Sequence, residues 1–484
     1  MSSIKNSMLT GVFYTAIAKY SGVVISLAVT AVLSRLIPIE EFGIVAIATV
    51  LIAFFSMFSD MGIAPAIIQK KDLTDDDLNN IFSFSIWSGL LLTALFFFGA
   101  WPIAKYYDSP VLVSICRLLS INLFFASANL VPNALLLRNK RFKFIGLRTF
   151  IIQIVCGIAA IASAYMGAGL YSIIVTPILT SIILFFINYS QYRLKFRFTL
   201  GLVSIRKIFS YSMYQLGFNL FNYFSRNLDN LLMGKHMSMT DLGYYEKSYK
   251  MMMYPLQLIP NIVSPVMHPI FSELQDDYKK LSASFMGVIK ILAFIGFPLS
   301  ALLFFGAKEL ILLLFGNQWG PSVPPFMILS LTVGLQIILS TTGAIFQASN
   351  STKMLFWCGV ATTVINIAAI CIGVFGYGTT VAVAWSICIS FTINFILTFY
   401  LMFYRVFHLS WTPLWLSLLS PLILTIITAG GLYGISLILP EELNMFLSLA
   451  IKSVYTVIAW VAYIQLTKAY DLRQLLSGII HKKR

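Results

Sequence analysis

The sequence predicts an all-α polytopic membrane protein with about 14 transmembrane helices. Three observations carry that class. Of 484 residues, 59 % are hydrophobic and 11 % charged, against about 25 % charged in a soluble domain. A soluble fold of this length could not cover its surface with so few charges. Apolar runs alternate with short polar breaks along the chain, and mean hydropathy is +0.86. The runs are continuous, whereas a β-barrel alternates apolar and polar residues. Finally, the cations fall on one side. With a cytoplasmic N-terminus, 22 of the 33 Lys and Arg residues lie in or beside cytoplasmic loops. The opposite loops hold only Arg35, Lys105, Lys235 and Lys308. Cationic segments are translocated poorly, which produces this bias. It also accounts for the net charge of +15 without a nucleic-acid partner.

A span needs about 20 apolar residues, and the elements follow in order. Residues 11–34 form a first span longer than a signal-peptide core, read as uncleaved. Spans 42–62 and 81–101 are parted by Lys70, Lys71 and the run Asp75-Asp76-Asp77. Thr74 followed by Asp77 is read as an N-cap with an acidic first turn rather than a metal cluster. Arg138, Lys140, Arg141, Lys143 and Arg148 lie in or beside the loop between spans 111–137 and 146–166. The turn Gly167-Ala168-Gly169 leads into 168–190. After Arg193, Lys195, Arg197, Arg206 and Lys207 come 207–233 and 243–271. Lys279 and Lys280 precede 283–306, followed by 322–346 and 355–375. The turn Gly376-Tyr377-Gly378 leads into 378–404, and 412–434 and 445–467 close the series. An even number of spans puts both termini in the cytoplasm. The five cysteines lie in apolar runs with no C-x-x-C and read as small buried hydrophobes.

The chain repeats itself. Arg35 with Glu41-Phe42-Gly43 is echoed 200 residues on by Lys235 with Asp241-Leu242-Gly243. The Gly167 and Gly376 turns, and Leu119-Ser120 and Leu329-Ser330, recur at nearly the same offset. The expected organisation is an N-lobe (1–200), a C-lobe (201–408) and an extra helix pair with a cytoplasmic tail (409–484). The offset covers an even number of helices, so the lobes are parallel repeats, a known transporter plan.

Candidate chemistry concentrates inside the spans. Gln215, Asn219, Asn222, Arg226 and Asp229 recur at helical spacing and share one face, with Arg226 and Asp229 at i and i+3. The next span carries Glu246, Lys250, Gln257, Asn261 and His268, with Lys247 beside them; Glu246 and Lys250 are an i,i+4 pair. Lys19 lies in the first span, and Arg117, Asn122 and Asn129 in the fourth. The bases within the spans, which also include Lys290 and Lys452, outnumber the acids Asp60, Asp229 and Glu246. A positive interior suits an anionic substrate. The expected substrate-binding set is Lys19, Arg117, Asn219, Asn222, Arg226, Lys250 and Gln257, with Asp229 and Glu246 as coupling groups. There is no G-x-x-x-x-G-K-[ST], so the chain does not power itself with ATP; a transporter of this kind would run on the substrate gradient or on a proton or sodium gradient. No metal site and no other cofactor is expected.

The stretch Phe271-Ser272-Glu273-Leu274-Gln275-Asp276-Asp277-Tyr278-Lys279-Lys280-Leu281 resembles a loop of the polysaccharide-transport branch of the multidrug/oligosaccharidyl-lipid/polysaccharide flippase superfamily. So do Phe315-Gly316-Asn317-Gln318-Trp319, and the run from Asp229-Asn230-Leu231-Leu232-Met233-Gly234 to Leu242-Gly243-Tyr244-Tyr245. The resemblance is to colanic-acid-type and teichuronic-acid-type exporters. It implies alternating-access movement of a polyprenyl-pyrophosphate-linked oligosaccharide, a surface-polysaccharide repeat unit, out of the cytoplasmic leaflet. It also implies lipid-linked oligosaccharide and membrane lipids as partners, alongside polysaccharide polymerase machinery. Lys19 precedes Gly22 by three residues, where the lipid II branch has Arg; Lys binds phosphate as a point charge and lacks the bidentate fork. The extra helices at 412–467 argue against the drug-exporting branch. A glycosyltransferase or polymerase of the same pathway would need a large outer loop with several acids. Residues 307–321 hold only Glu309.

Overall fold

In a computed structural model, which describes residues 2–60, 62–70, 72–198, 223, 226–259, 271, 277–349, 351–440 and 443–467, the described secondary structure is entirely helical. In chain order the first helices are α1 (Ser2–Leu36), α2 (Ile39–Asp60), α3 (Ile63–Gln69), α4 (Asp75–Tyr106), α5 (Val111–Ala128), α6 (Leu130–Arg138), α7 (Phe142–Tyr165) and α8 (Tyr171–Gln191). Residues 226–236 form α9. Then come α10 (Met239–Leu258), α11 (Tyr278–Phe305), α12 (Ala307–Phe315), α13 (Val323–Ser330), α14 (Val333–Leu339), α15 (Thr342–Ala348), α16 (Thr352–Cys371), α17 (Thr380–Leu401), α18 (Thr412–Ile438) and α19 (Met445–Thr467). Among the described residues, eleven helices are long and apolar enough to cross a membrane, or twelve if the bent pair Asn317–Ser330 and Val333–Ala348 is one span. The candidates at 207–233 and 243–271 lie partly outside the described residues.

Local chemistry explains the ends and breaks. Thr74 and Asp77 form the expected capping box: Asp77 N–H donates to Thr74 Oγ1 at 3.2 Å, and Thr74 N–H to Asp77 Oδ2 at 3.1 Å. The span expected at 42–62 instead runs to Gln69, with a break at Gly62, whose φ of 72° suits glycine. The fourth span breaks at Asn129, and Pro132 lacks the N–H that would continue the ladder. The span expected at 322–346 bends by 49°. There the hydroxyls of Ser330, Thr332, Ser340, Thr341 and Thr342 donate to carbonyls three residues back, which loosens the ladder.

The chain divides by packing into two compact units, Met1–Glu246 and Lys247–Arg484. In the first, α4 packs on α5, α1 on α7, and α3 on α6. Ile67, Ile81, Val131 and Ala134 form the centre of an apolar core. In the second, α11 is central and packs on α14 and α18. Gly296 on α11 and Gly334 on α14 allow this closeness: a Cβ on Gly296 would lie 3.0 Å from the Gly334 Cα. The last two helices dock on α11 through Phe294, Leu424 and Ile464, and Trp460 Nε1–H donates to the Phe294 carbonyl at 2.9 Å.

Candidate functional site

In the unit Met1–Glu246, three expected cations sit on helix surfaces. Lys19 is exposed on α1. One turn on, Gly22 is pressed against α7: a Cβ there would lie 2.7 Å from Gln153 Nε2. The Lys-x-x-Gly spacing therefore places the cation one turn from a close helix crossing. Arg117 is exposed on α5, its guanidinium carbon 4.8 Å from the Phe97 ring centre on α4. Arg226 is exposed on α9. Asn219 and Asn222 lie outside the described residues.

Asp229 is buried and does not meet Arg226 as the i,i+3 spacing suggested. Its carboxylate accepts from the Tyr245 hydroxyl at 2.7 Å and from the Asn230 backbone N–H at 2.9 Å. A carboxylate–phenol pair between α9 and α10 replaces the expected ion pair. Glu246, the next residue after Tyr245, is also buried.

The repeat seen in the sequence becomes a contact. The first turn of α2 and the first turns of α10 cross at Gly43 and Gly243, residues related by the 200-residue offset. A Cβ on Gly243 would lie 2.6 Å from the Ile39 carbonyl oxygen, and one on Gly43 would collide with the Met239 carbonyl. Ile39 and Met239, like Gly43 and Gly243, are 200 residues apart in the sequence. Close by, Lys235 Nζ pairs with Asp108 Oδ2 at 2.8 Å and lies over the Tyr106 ring.

Arg148 belongs to α7 and is not a loop cation. It is buried, and its guanidinium donates to Asn188 Oδ1. Asn188 Nδ2–H donates to Asn129 Oδ1 at 2.7 Å. Asp60 ends α2, and its Oδ1 is buried with no partner among the described residues.

In the unit Lys247–Arg484, Lys250 and Gln257 are exposed on α10. Lys247 is 1 % exposed, so it does not snorkel to an interface. Its Nζ lies 4.9 Å from the Phe315 ring centre and 4.6 Å from that of Trp319. The stretch Phe315-Gly316-Asn317-Gln318-Trp319 thus wraps a buried cation, turning through Gly316 at φ 100°. Lys452 is likewise not a cation open to a ligand. It forms a buried ion pair with Glu309 Oε1 and donates to the Phe305 carbonyl at 2.8 Å, while Ser448 Oγ donates to the same Glu309 oxygen at 2.7 Å. Burial raises the Glu309 carboxyl, but the hydrogen bonds from Lys452 and Ser448 outweigh it and hold it below the usual carboxylate range.

Many apolar spans, helices broken at polar residues and charged groups buried among helices together define a multi-pass helical membrane protein with the build of a transporter. Known proteins place it more closely. The fold is similar to that of the lipid II flippase MurJ, solved in an inward closed conformation, with a TM-score of 0.74 at 16 % identity over 96 % of this chain and 99 % of that one. In sequence the chain is 25 % identical over 360 residues to the teichuronic acid biosynthesis protein TuaB of Bacillus subtilis, 74 % of each chain. It is 24 % identical over 379 residues to the lipopolysaccharide biosynthesis protein WzxC of Escherichia coli, 77 % of this chain and 76 % of that one. A family profile matches residues 32–324, and the chain belongs to that family, the polysaccharide biosynthesis proteins.

Proposed function

We propose that the protein is a flippase. It moves an anionic polyprenyl-pyrophosphate-linked oligosaccharide from the cytoplasmic to the periplasmic leaflet of a bacterial inner membrane by alternating access. The observation that carries this reading is the family match over residues 32–324 together with a lipid-flippase fold over 96 % of the chain. The reading takes the chain as a transporter, not an enzyme, with fourteen spans in a 6 + 6 + 2 plan and both termini cytoplasmic. Lys19, Arg117 and Arg226, with Asn219 and Asn222, hold the pyrophosphate and sugar; Lys250 and Gln257 serve the same substrate. These cations are supported by lying exposed on helix surfaces, where a ligand can reach them. Asp229 and Glu246 couple transport to a proton or sodium gradient. Polymerase machinery receives the product.

The test is export by Lys19→Gln, Arg117→Gln, Arg226→Gln and Lys250→Gln variants, singly and together. Each lost hydrogen bond to a charged phosphate costs about 1.5–3 kcal/mol. The singles should therefore export less at unchanged membrane abundance, and the quadruple variant should not export. Normal export by the quadruple variant would move the site elsewhere.

A further inference from the structure

A buried charge is costly unless it is paired. Arg148 is 8 % exposed, and every partner it has among the described residues is neutral. Its Nη1 donates to Asn188 Oδ1, while Nη2 reaches Asn133 Oδ1 only at 3.4 Å. Nε is buried with no partner among the described residues. No carboxylate among the described residues forms an ion pair with it. The edge left over is Nε with Nη2, the side-on fork that fits two oxygens of a phosphate.

The surroundings suit an anion. Asn129, at the break between α5 and α6, accepts from Asn188 and completes a frame of three amides around the guanidinium. Phe144 lies 5.9 Å from the guanidinium carbons of both Arg148 and Arg141. Arg141 is held by Gln191 at 2.9 Å, and Arg138, Lys140 and Lys143 share the same stretch of chain. Juxtamembrane cations of this kind concentrate anionic lipid. Arg148 lies about 9 Å along α7 from its start, close to the depth of a lipid headgroup layer.

We propose that Arg148, framed by Asn129, Asn133 and Asn188, binds the phosphate group of a membrane lipid at the cytoplasmic end of the first unit. The phosphate comes either from an anionic phospholipid headgroup or from the pyrophosphate of the lipid-linked substrate. Only the second source rests on the flippase reading. A polar seam between helices is the competing explanation, but neutral side chains would serve a seam, and it leaves the buried Nε uncompensated.

The experiment uses the full-length protein in a phosphate-free detergent. Phosphatidylglycerol in one arm and a polyprenyl pyrophosphate in the other are titrated, with bound lipid read by native mass spectrometry and unfolding by thermal melting. Arg148→Gln should weaken binding of the recognised lipid at least ten-fold. Asn188→Asp is the second variant: its carboxylate supplies the missing counter-charge, so it should raise melting without lipid and abolish stabilisation by lipid. If Arg148→Gln does not fold, Asn188→Asp decides alone. Binding of phosphatidylglycerol alone identifies the headgroup as the source; preference for the pyrophosphate identifies the substrate. Equal lipid binding by the wild type and the folded variants, or no binding by the wild type, overturns the proposal. Binding by a protein that fails to flip keeps this site and removes the flippase reading instead.

Discussion

Replacing Gly243 by alanine tests whether the crossing of repeat-related helix ends is a closed gate. The added Cβ would lie 2.6 Å from the Ile39 carbonyl oxygen and 3.0 Å from Ile39 Cγ2, whereas ordinary contact begins at 3.4 Å. The helix ends must therefore part by nearly 1 Å. Both ends are anchored in regular helix, so the strain falls on the contact. Overpacking of this kind costs about 1–3 kcal/mol. Alanine in place of glycine in a helix returns about 0.5–1 kcal/mol, but to every conformer alike. The clash is specific to the closed contact and decides the outcome. A bias of one or two kcal/mol shifts a two-state population by about 5–30-fold. Spin labels at Glu40 and Ser238, both exposed, in a background without the five native cysteines, would report the separation by pulsed dipolar spectroscopy. Gly243→Ala should broaden the distribution toward longer distances. Gly99→Ala, where a Cβ meets nothing within 4 Å, should leave it unchanged. An unaltered distribution and normal export in Gly243→Ala would refute the gate.

Three further outcomes follow from the buried charges. Lys452→Met strands the Glu309 carboxylate and should cost about 3–5 kcal/mol of stability, read as a lower melting temperature that Glu309→Gln in the same chain partly restores. The folded-state pKa of Glu309 is depressed, so its contribution is present at neutral pH and fades as pH falls below the usual carboxylate range through the lowered value; Lys452→Met should lose that acid limb. Asp229→Asn should impair ion-coupled transport more than substrate binding in reconstituted vesicles, because only groups bound differently in the two states shift the equilibrium; unchanged ion dependence in both Asp229→Asn and Glu246→Gln would leave these acids a structural role.

The membrane class and the helical fold were legible because both rest on one-dimensional signals, namely apolar run length and the distribution of cations. Partnerships were not. Arg226 and Asp229 share a helical stripe, yet the packing boundary falls between them: one is exposed, and the other meets Tyr245 on the next helix. Arg148 reads as a loop cation because it ends a cationic run, but α7 begins at Phe142 and carries it inside. Lys452 and Glu309 lie too far apart in sequence for spacing to join them. Gly43 and Gly243 were visible as a repeat, and that signal foreshadowed a contact no local pattern could supply. The bend at Leu331 arises from hydroxyls competing for helix carbonyls, which an apolar-run scan ignores.

The measurement that bears most directly on the flippase reading is the sidedness of the lipid-linked intermediate after depletion of the protein. Cells would be depleted, and their polyprenyl-pyrophosphate-linked oligosaccharides probed with a membrane-impermeant sugar-modifying reagent before and after opening the membrane. If the protein flips this lipid, the complete repeat unit accumulates and is modified only after the membrane is opened. Accumulation of a unit already accessible from outside would contradict it.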